Sequence, residues 1–206
     1  MGITRQTWDF LQQILPRARP EGRPCRMCEL GNQHIKPDVW DRIPPVAGHD
    51  RRGQRPFPAK LYFESVGIDH VSLDTNGQDG ALRVDLCVPI RDPSLLASFD
   101  VVTNLGTSEH VENQTRCFEN IHNLCGTGGW FVHVVPASGH WIGHGTFYYT
   151  EAFFQTLSTE NGYRIFLVEQ RPYMNLADKD CIFAAMIKER NRPFVAAEAF
   201  ERVARR

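Results

Sequence analysis

From residue 59 onward, short apolar runs alternate with segments of helical period, and this order points to a parallel α/β sheet. AKLYFESVG (59–67) predicts a short helix stopped by glycine, and IDHVSLD (68–74) a strand ending in an acid. ALRVDL (81–86) is a further strand. SFDVVTNLG (98–106) is another, and its unbroken Val101-Val102 suits a strand covered on both faces. SEHVENQTRCFENIHNLC (108–125) predicts a helix with Val111, Phe118, Ile121 and Cys125 on one face and Ser108 as its cap. The turn GTGG (126–129) follows, then the strand WFVHVVP (130–136). TEAFFQTLSTENG (150–162) predicts a helix ended by Gly162. YRIFLVEQ (163–170) and CIFAAMIKE (181–189) are two strands with no helix between them, which predicts an antiparallel hairpin at one edge. Adding the strand CRMCEL (25–30), the expected fold class is α/β: a doubly wound, mostly parallel sheet of about seven strands with an antiparallel edge hairpin.

Ahead of this regular part, Trp8, Leu11 and Leu15 share a helical face over residues 4–15, and Pro16 should end that helix. Residues 16–24 read as an Arg- and Pro-rich linker. Residues 32–58 hold Pro37, Pro44, Pro45, Pro56 and Pro58 with little periodicity, and read as an insertion, either a solvated loop or a lid. Between residues 16 and 60 ten Lys/Arg stand against five Asp/Glu, so a lid would favour an anionic substrate. A length of 206 residues suits a single domain, 1–206, carrying that helix and the 32–58 insertion.

The net charge of −1 gives no general attraction to nucleic acid or anionic membranes, and no N/D-P-P-aromatic motif is present. No run reaches the length of a membrane span, and MGITRQTWDFLQQILPRARP does not read as a secretory signal. Cys25, Cys28, Cys87, Cys117, Cys125 and Cys181 are too dispersed for a disulfide framework. Cys87 and Cys181 fall in apolar runs that read as buried strands, so a reducing cytoplasm is expected. The chain has no G-x-G-x-x-G, no phosphate-loop motif and no G-x-S-x-G elbow. Cys25/Cys28 and His140/His144 have zinc-like spacing within each pair, but 112 residues separate the pairs, so no metal site is expected.

In an open parallel sheet, ligands bind beyond the carboxyl ends of the strands where strand order reverses. Those ends read Glu29-Leu30-Gly31, Asp74, Asp85-Leu86, Asn104-Leu105-Gly106 and Pro136. A glycine there lets a ligand approach the backbone closely. An acid closing the second strand can accept both hydroxyl protons of a ribose, and one ending the third can accept from an adenine amino group. This succession resembles the class I S-adenosylmethionine-dependent methyltransferases, whose Rossmann-like fold is a three-layer sandwich. ELGNQ (29–33) stands where that family has its first motif. FDVVTNLGTSEHV (99–111) is similar to its fourth-strand signature, with an opening aspartate and a Glu-His-Val-like triplet. GTGGWFVHVVP (126–136) resembles the glycine pair and fifth strand, and HWIGHGTFYYTEAFFQTLSTENGY (140–163) resembles a later segment. The resemblance covers about residues 25–189 and implies S-adenosylmethionine as cofactor. By it, Glu29 and Gly31 would contact the amino-acid end, Asp74 the ribose hydroxyls, Asp85 and Leu86 the adenine, and Asn104 and Leu105 the methionine portion.

The implied activity is methyl transfer to a small-molecule acceptor, such as a sugar or another natural-product intermediate. Such transfer needs an aligned nucleophile above all, and a base helps when the acceptor is a hydroxyl. The candidates are His140 and His144, in the glycine-rich loop after the fifth strand, and His110, at the start of the helix after the fourth. Each also has a plain reading, as a loop hydrogen-bonder or an exposed helix-start residue. The single glycine of ELGNQ and the 43 residues from Gly31 to Asp74 keep a second function open: a methyltransferase-like binding or scaffold protein without activity.

Overall fold

Side chains of alternate parity leave a strand on opposite faces, and here both sets are apolar. In Phe99–Leu105, Val101 and Leu105 go to one face and Val102 to the other. In Asp180–Lys188, Phe183 and Ala185 oppose Ile182, Ala184 and Met186. Such strands are stable only with helices on both sides. The computed structural model, which describes residues 2–47, 55–174 and 176–204, has that arrangement. Its elements are α1 (Arg5–Ala18), β1 (Arg26–Leu30), β2 (His34–Ile35), β3 (Phe57–Pro58), α2 (Ala59–Ser65), β4 (Asp69–Asp74), β5 (Leu82–Arg83), β6 (Phe99–Leu105), α3 (Gln114–Leu124), β7 (Cys125–Pro136), α4 (Glu151–Asn161), β8 (Tyr163–Pro172), β9 (Asp180–Lys188) and α5 (Ala197–Ala204).

The main sheet has seven strands in the order β5-β4-β1-β6-β7-β9-β8. Neighbours are parallel except at β9, which runs antiparallel to both β7 and β8, so the expected hairpin forms the edge with β9 on its inner side. The chain winds outward from β1 through β4 to β5, then restarts beside β1 with β6, so the order reverses between β1 and β6. One face is covered by α1, α2 and the insertion, with Phe10, Leu11, Ile14, Phe57 and Phe63 buried there. The other is covered by α3, α4 and α5, where Phe118 packs among Phe153, Phe154 and Phe200. No helix among the described residues is long and apolar enough to cross a membrane.

Several local expectations are corrected. Pro16 lies inside α1, which runs on to Ala18, because a proline removes one amide donor without forbidding a last turn. The ALRVDL strand shrinks to Leu82–Arg83, since Asp85 Oδ1 accepts the Cys87 amide at 2.8 Å and turns the backbone off the ladder. Cys87 is therefore half-buried in a turn, not a buried strand residue, whereas Cys181 is buried as expected. Ser108 does not cap a helix. Residues Ser108–His110 form a 3-10 turn, and α3 begins at Gln114 behind Asn113, whose Oδ1 accepts the Arg116 amide at 3.0 Å. GTGG belongs to β7, which starts at Cys125. The insertion is not a solvated loop in its described part: β2 pairs with β3, and Ile35, Val39, Ile43 and Val46 enter the core. Residues 48–54 of that segment lie outside the described residues.

The Asn113 cap yields a direct expectation. Asn113→Ala should lower stability by about 1 kcal/mol, the usual cost of removing a capping side chain, as read from urea unfolding. A change below about 0.3 kcal/mol would mean that the cap contributes nothing.

Candidate functional site

A cleft of about 420 Å³ lies where the sheet order reverses, lined by residues at and beyond the carboxyl ends of β1, β4, β5 and β6. Gly31, Asn32 and Gln33 come from β1, and Leu73, Asp74 and Thr75 from β4. Asp85, Leu86 and Cys87 follow β5, and Gly106, Thr107, His110 and Val111 follow β6. Five of the residues singled out by sequence thus meet here: Gly31, Asp74, Asp85, Leu86 and His110.

Gly31 has a φ of +76°, and its amide donates to the Leu73 carbonyl at 2.8 Å, tying the end of β1 to β4. A Cβ at this position would lie 2.5 Å from Thr107 Oγ1 and 2.9 Å from Gln33 Nε2, so the turn requires glycine both for its backbone and for its space. Thr107 Oγ1 donates to the Leu30 carbonyl at 2.7 Å, closing this knot from the β6 side. Asp74 accepts the Asn32 amide on Oδ2 at 2.8 Å and the Asn76 amide on Oδ1 at 2.9 Å, which fixes the carboxylate at the cleft wall and leaves each oxygen a second lone pair.

Glu29, Asn104 and Leu105 lie behind the wall and do not line the cleft. Glu29 is fully buried, and its Oε2 accepts the Gln33 amide at 3.0 Å and the Ser72 hydroxyl at 3.3 Å. It is a post that holds the 31–33 turn in shape. Leu105 is in the core. Asn104 anchors a buried network. Its Nδ2 donates to Ser108 Oγ at 2.7 Å and to His133 Nδ1 at 3.1 Å, and its Oδ1 accepts the Ser108 amide at 3.0 Å. Ser108 Oγ in turn meets Tyr149 Oη at 2.8 Å, and Tyr149 donates to Gln114 Oε1 at 2.8 Å. These bonds lock the Ser108–His110 turn beside the cleft.

That turn presents Glu109, which sequence reasoning passed over. Its side chain is fully buried, and burial pushes its carboxyl up to about 7. His110 Nε2 and His144 Nε2 each lie 3.8 Å from Glu109 Oε1, and the two imidazole rings stand 5.1 Å apart. Burial also lowers the pKa of both histidines, and for His144 the neighbouring His110 adds to the effect. The loop that carries His144 is bound to the turn through its backbone, the Thr146 and Phe147 amides donating to the Glu109 carbonyl at 2.9 and 3.2 Å. His140 lies elsewhere: its Nδ1 accepts the Asp180 amide at 3.2 Å and its Nε2 sits 3.3 Å from Gln170 Nε2, tying the loop to β8 and β9.

A second cavity, of about 550 Å³, opens on the other side of the histidine pair. Gly2, Thr4, Lys36, Asp38, Trp141, His144, Tyr173 and Met174 are among its walls. His110 therefore faces the cleft and His144 the second cavity, with Glu109 between them.

No protein-family model matches the sequence, and a search of curated proteins finds no match. Solved structures do match. Burkholderia thailandensis 1,6-didemethyltoxoflavin-N1-methyltransferase, with 1,6-didemethyltoxoflavin and S-adenosylhomocysteine bound, gives a TM-score of 0.54 at 16% identity, over 82% of this chain and 73% of that one. Bradyrhizobium japonicum N-methyltransferase NodS in complex with S-adenosyl-l-homocysteine gives 0.55 at 13% identity, over 91% and 89%. Haemonchus contortus phosphoethanolamine N-methyltransferase 2 in complex with S-adenosyl-L-methionine gives 0.57 at 16%, over 91% of this chain and 54% of that one, so this chain spans about half its length. The chain has the class I methyltransferase fold. On this fold the cleft at the β1/β6 reversal is the position general to open α/β sheets, and the Glu109 turn forms its rim. Glu109 opens the Glu-His-Val triplet of the sequence. The signal that could have raised it is a carboxylate four residues beyond the end of an apolar strand and followed by histidine.

Proposed function

We propose that this chain is an S-adenosylmethionine-dependent methyltransferase acting on a small-molecule acceptor. The observation that carries the reading is the cleft itself: the backbone turn at Gly31, the fixed Asp74 carboxylate and the apolar Leu86 line one cavity at the reversal point. In this reading Gly31 and Thr107 receive the amino-acid end of the cofactor, Asp74 accepts from the ribose hydroxyls, and Asp85 with Leu86 flanks the adenine. Glu29 and Asn104 hold the two turns from behind. Asn32 and Gln33 border the cleft without filling it: the Asn32 side chain turns to Gln78 and Asp79, and that of Gln33 to Leu30 and Thr107. This favours an active enzyme over a scaffold with a blocked cleft.

The second cavity is read as the acceptor chamber, with Trp141 and Tyr173, 5.7 Å apart, suited to a flat ring or the apolar face of a sugar. The 32–58 insertion then acts as a wall of that chamber within a single domain, since Lys36, Pro37 and Asp38 line it. His110 and His144 stand where an acceptor hydroxyl or amine would meet the methyl donor, and His140 positions the loop that carries His144. Five of the six free thiols are buried, which fits a cytoplasmic protein.

Titration calorimetry with S-adenosylmethionine and S-adenosylhomocysteine tests the cofactor. One site per chain with micromolar affinity is expected, and no heat with either ligand at high micromolar concentration would overturn the reading. Asp74→Ala should weaken binding by about 10- to 100-fold, through loss of charge-assisted bonds to the ribose.

A further inference from the structure

Glu109 is fully buried, and neither of its carboxylate oxygens has a hydrogen-bond partner among the described residues. A buried carboxylate in this condition keeps its charge only if it is paired or coordinates a metal, and otherwise takes up a proton. No lysine or arginine pairs with it among the described residues. Among the described side chains, the ionisable groups that face it are the imidazoles of His110 and His144, and 3.8 Å is too long for either to donate a hydrogen bond to Oε1. His144 Nε2 has no hydrogen-bond partner either.

One donor atom from each of these three side chains lies within 4.8 Å of the other two. Donors at such separations leave a point about 2 to 2.5 Å from all three, which is the length of a metal–ligand bond. The arrangement is built into the backbone. Gly145 packs so closely on Glu109 that an added Cβ would lie 2.9 Å from Glu109 Cγ, and the two amides donated to the Glu109 carbonyl hold the His144 loop in place.

We propose that Glu109, His110 and His144 bind a divalent transition-metal ion of the Zn²⁺ or Mn²⁺ kind at the junction of the cleft and the second cavity. Two imidazoles and one carboxylate suit such ions better than Mg²⁺ or Ca²⁺, which take mainly oxygen ligands. The His110 and His144 side chains are 47% and 30% exposed, so the ion has a route in and open positions toward either cavity. If the chain is a methyltransferase, an acceptor oxygen or nitrogen could occupy one of those positions and be polarised there. The binding site itself does not depend on that function.

Chelator-treated protein titrated with Zn²⁺ alone, by calorimetry, and with Co²⁺ alone, by visible spectroscopy, provides the test. The expected result is one ion per chain, with Co²⁺ bands characteristic of imidazole ligation. Glu109→Gln and His144→Ala should each weaken binding by about 100-fold, and His34→Ala, outside the cluster, should leave it unchanged. Absence of binding, or equal affinity in wild type and Glu109→Gln, would overturn the site. Should a variant at a buried position fail to fold, His110→Ala changes a half-exposed residue and must still weaken binding at least about tenfold; unchanged affinity there also overturns it. Failure of the metal titration would leave cofactor binding untouched, and failure of cofactor binding would leave the metal result standing.

Discussion

Replacing Gly31 with valine is expected to lower affinity for S-adenosylhomocysteine by about 100-fold or more in a protein that still folds, a loss of about 3 kcal/mol. The reason is local and double. At a φ of +76°, a β-branched residue is strained in its own backbone, at a cost of about 1–2 kcal/mol. Its Cβ would also overlap Thr107 Oγ1 at 2.5 Å and Gln33 Nε2 at 2.9 Å. Both are side-chain atoms and can move, so the sheet beneath survives. Moving them breaks the Thr107 bond to the Leu30 carbonyl and the Gln33 contact with Thr107, and it drives Thr107 into the cleft it borders. Calorimetry on the variant, with circular dichroism to establish folding, measures the effect. Gly31→Ala keeps the Cβ overlap without β-branching and should lose about tenfold. Wild-type affinity in a folded Gly31→Val protein would remove Gly31 from the cofactor site.

What sequence could supply here is whatever follows chain order. Strand ends are a property of chain order, and in a doubly wound sheet the reversal point collects them. Gly31, Asp74, Asp85 and Leu86 could therefore be placed in one cleft before any contact was known. Side-chain direction at a strand end is less accessible. Asn104 and Leu105 stand just before the cleft-lining Gly106 and Thr107, yet they turn into the protein: Ser108 and His133 capture the Asn104 amide group, and Leu105 packs into the core on the opposite face. Helix starts are similarly decided by competition. Ser108 is a good capping residue by type, but its hydroxyl is used by Asn104 and Tyr149, and Asn113 caps α3 instead.

The least legible element is the Glu109 cluster. Glu109 and His144 are 35 positions apart, and their meeting depends on a loop that leaves β7, folds over the Ser108–His110 turn and enters α4. No local period encodes that return. Pair spacing drew attention to His140 with His144 instead, and the structure separates those two: one binds the β8–β9 edge and the other binds the turn.

Acid should weaken the fold chiefly through two buried histidines, with His110 and His144, whose pKa burial also lowers, acting in the same direction, against the opposing effect of Glu109. Burial pushes His133 down to about 3, and its Nδ1 accepts from Asn104, so a proton on that nitrogen would face a donor. His122 is pushed down to about 4 by burial and by the nearby Lys188 ammonium, while Tyr163 and the Arg192 carbonyl occupy its two ring nitrogens. Both are neutral when folded and take up protons on unfolding. Their contribution to stability is complete above the ordinary histidine value of 6.5 and is lost as pH falls toward the folded values, by about 1.4 kcal/mol per unit for each. Glu109 acts the other way. Its raised pKa, about 7 against an ordinary 4.5, makes the folded state hold a proton that the unfolded state gives up, so it adds stability as pH falls through that window. From pH 7 to pH 5 the histidines together lose about 3.5 kcal/mol and Glu109 returns about 2, leaving a net loss of about 1.5 kcal/mol. Glu109→Gln removes the opposing part, so its loss over the same interval should be about 3.5 kcal/mol. Urea unfolding midpoints at pH 7 and pH 5, taken with chelator present, compare the two proteins directly. Equal pH dependence in both would show that Glu109 is not held protonated by its burial, and a wild-type protein more stable at pH 5 than at pH 7 would show that His122 and His133 are not held neutral.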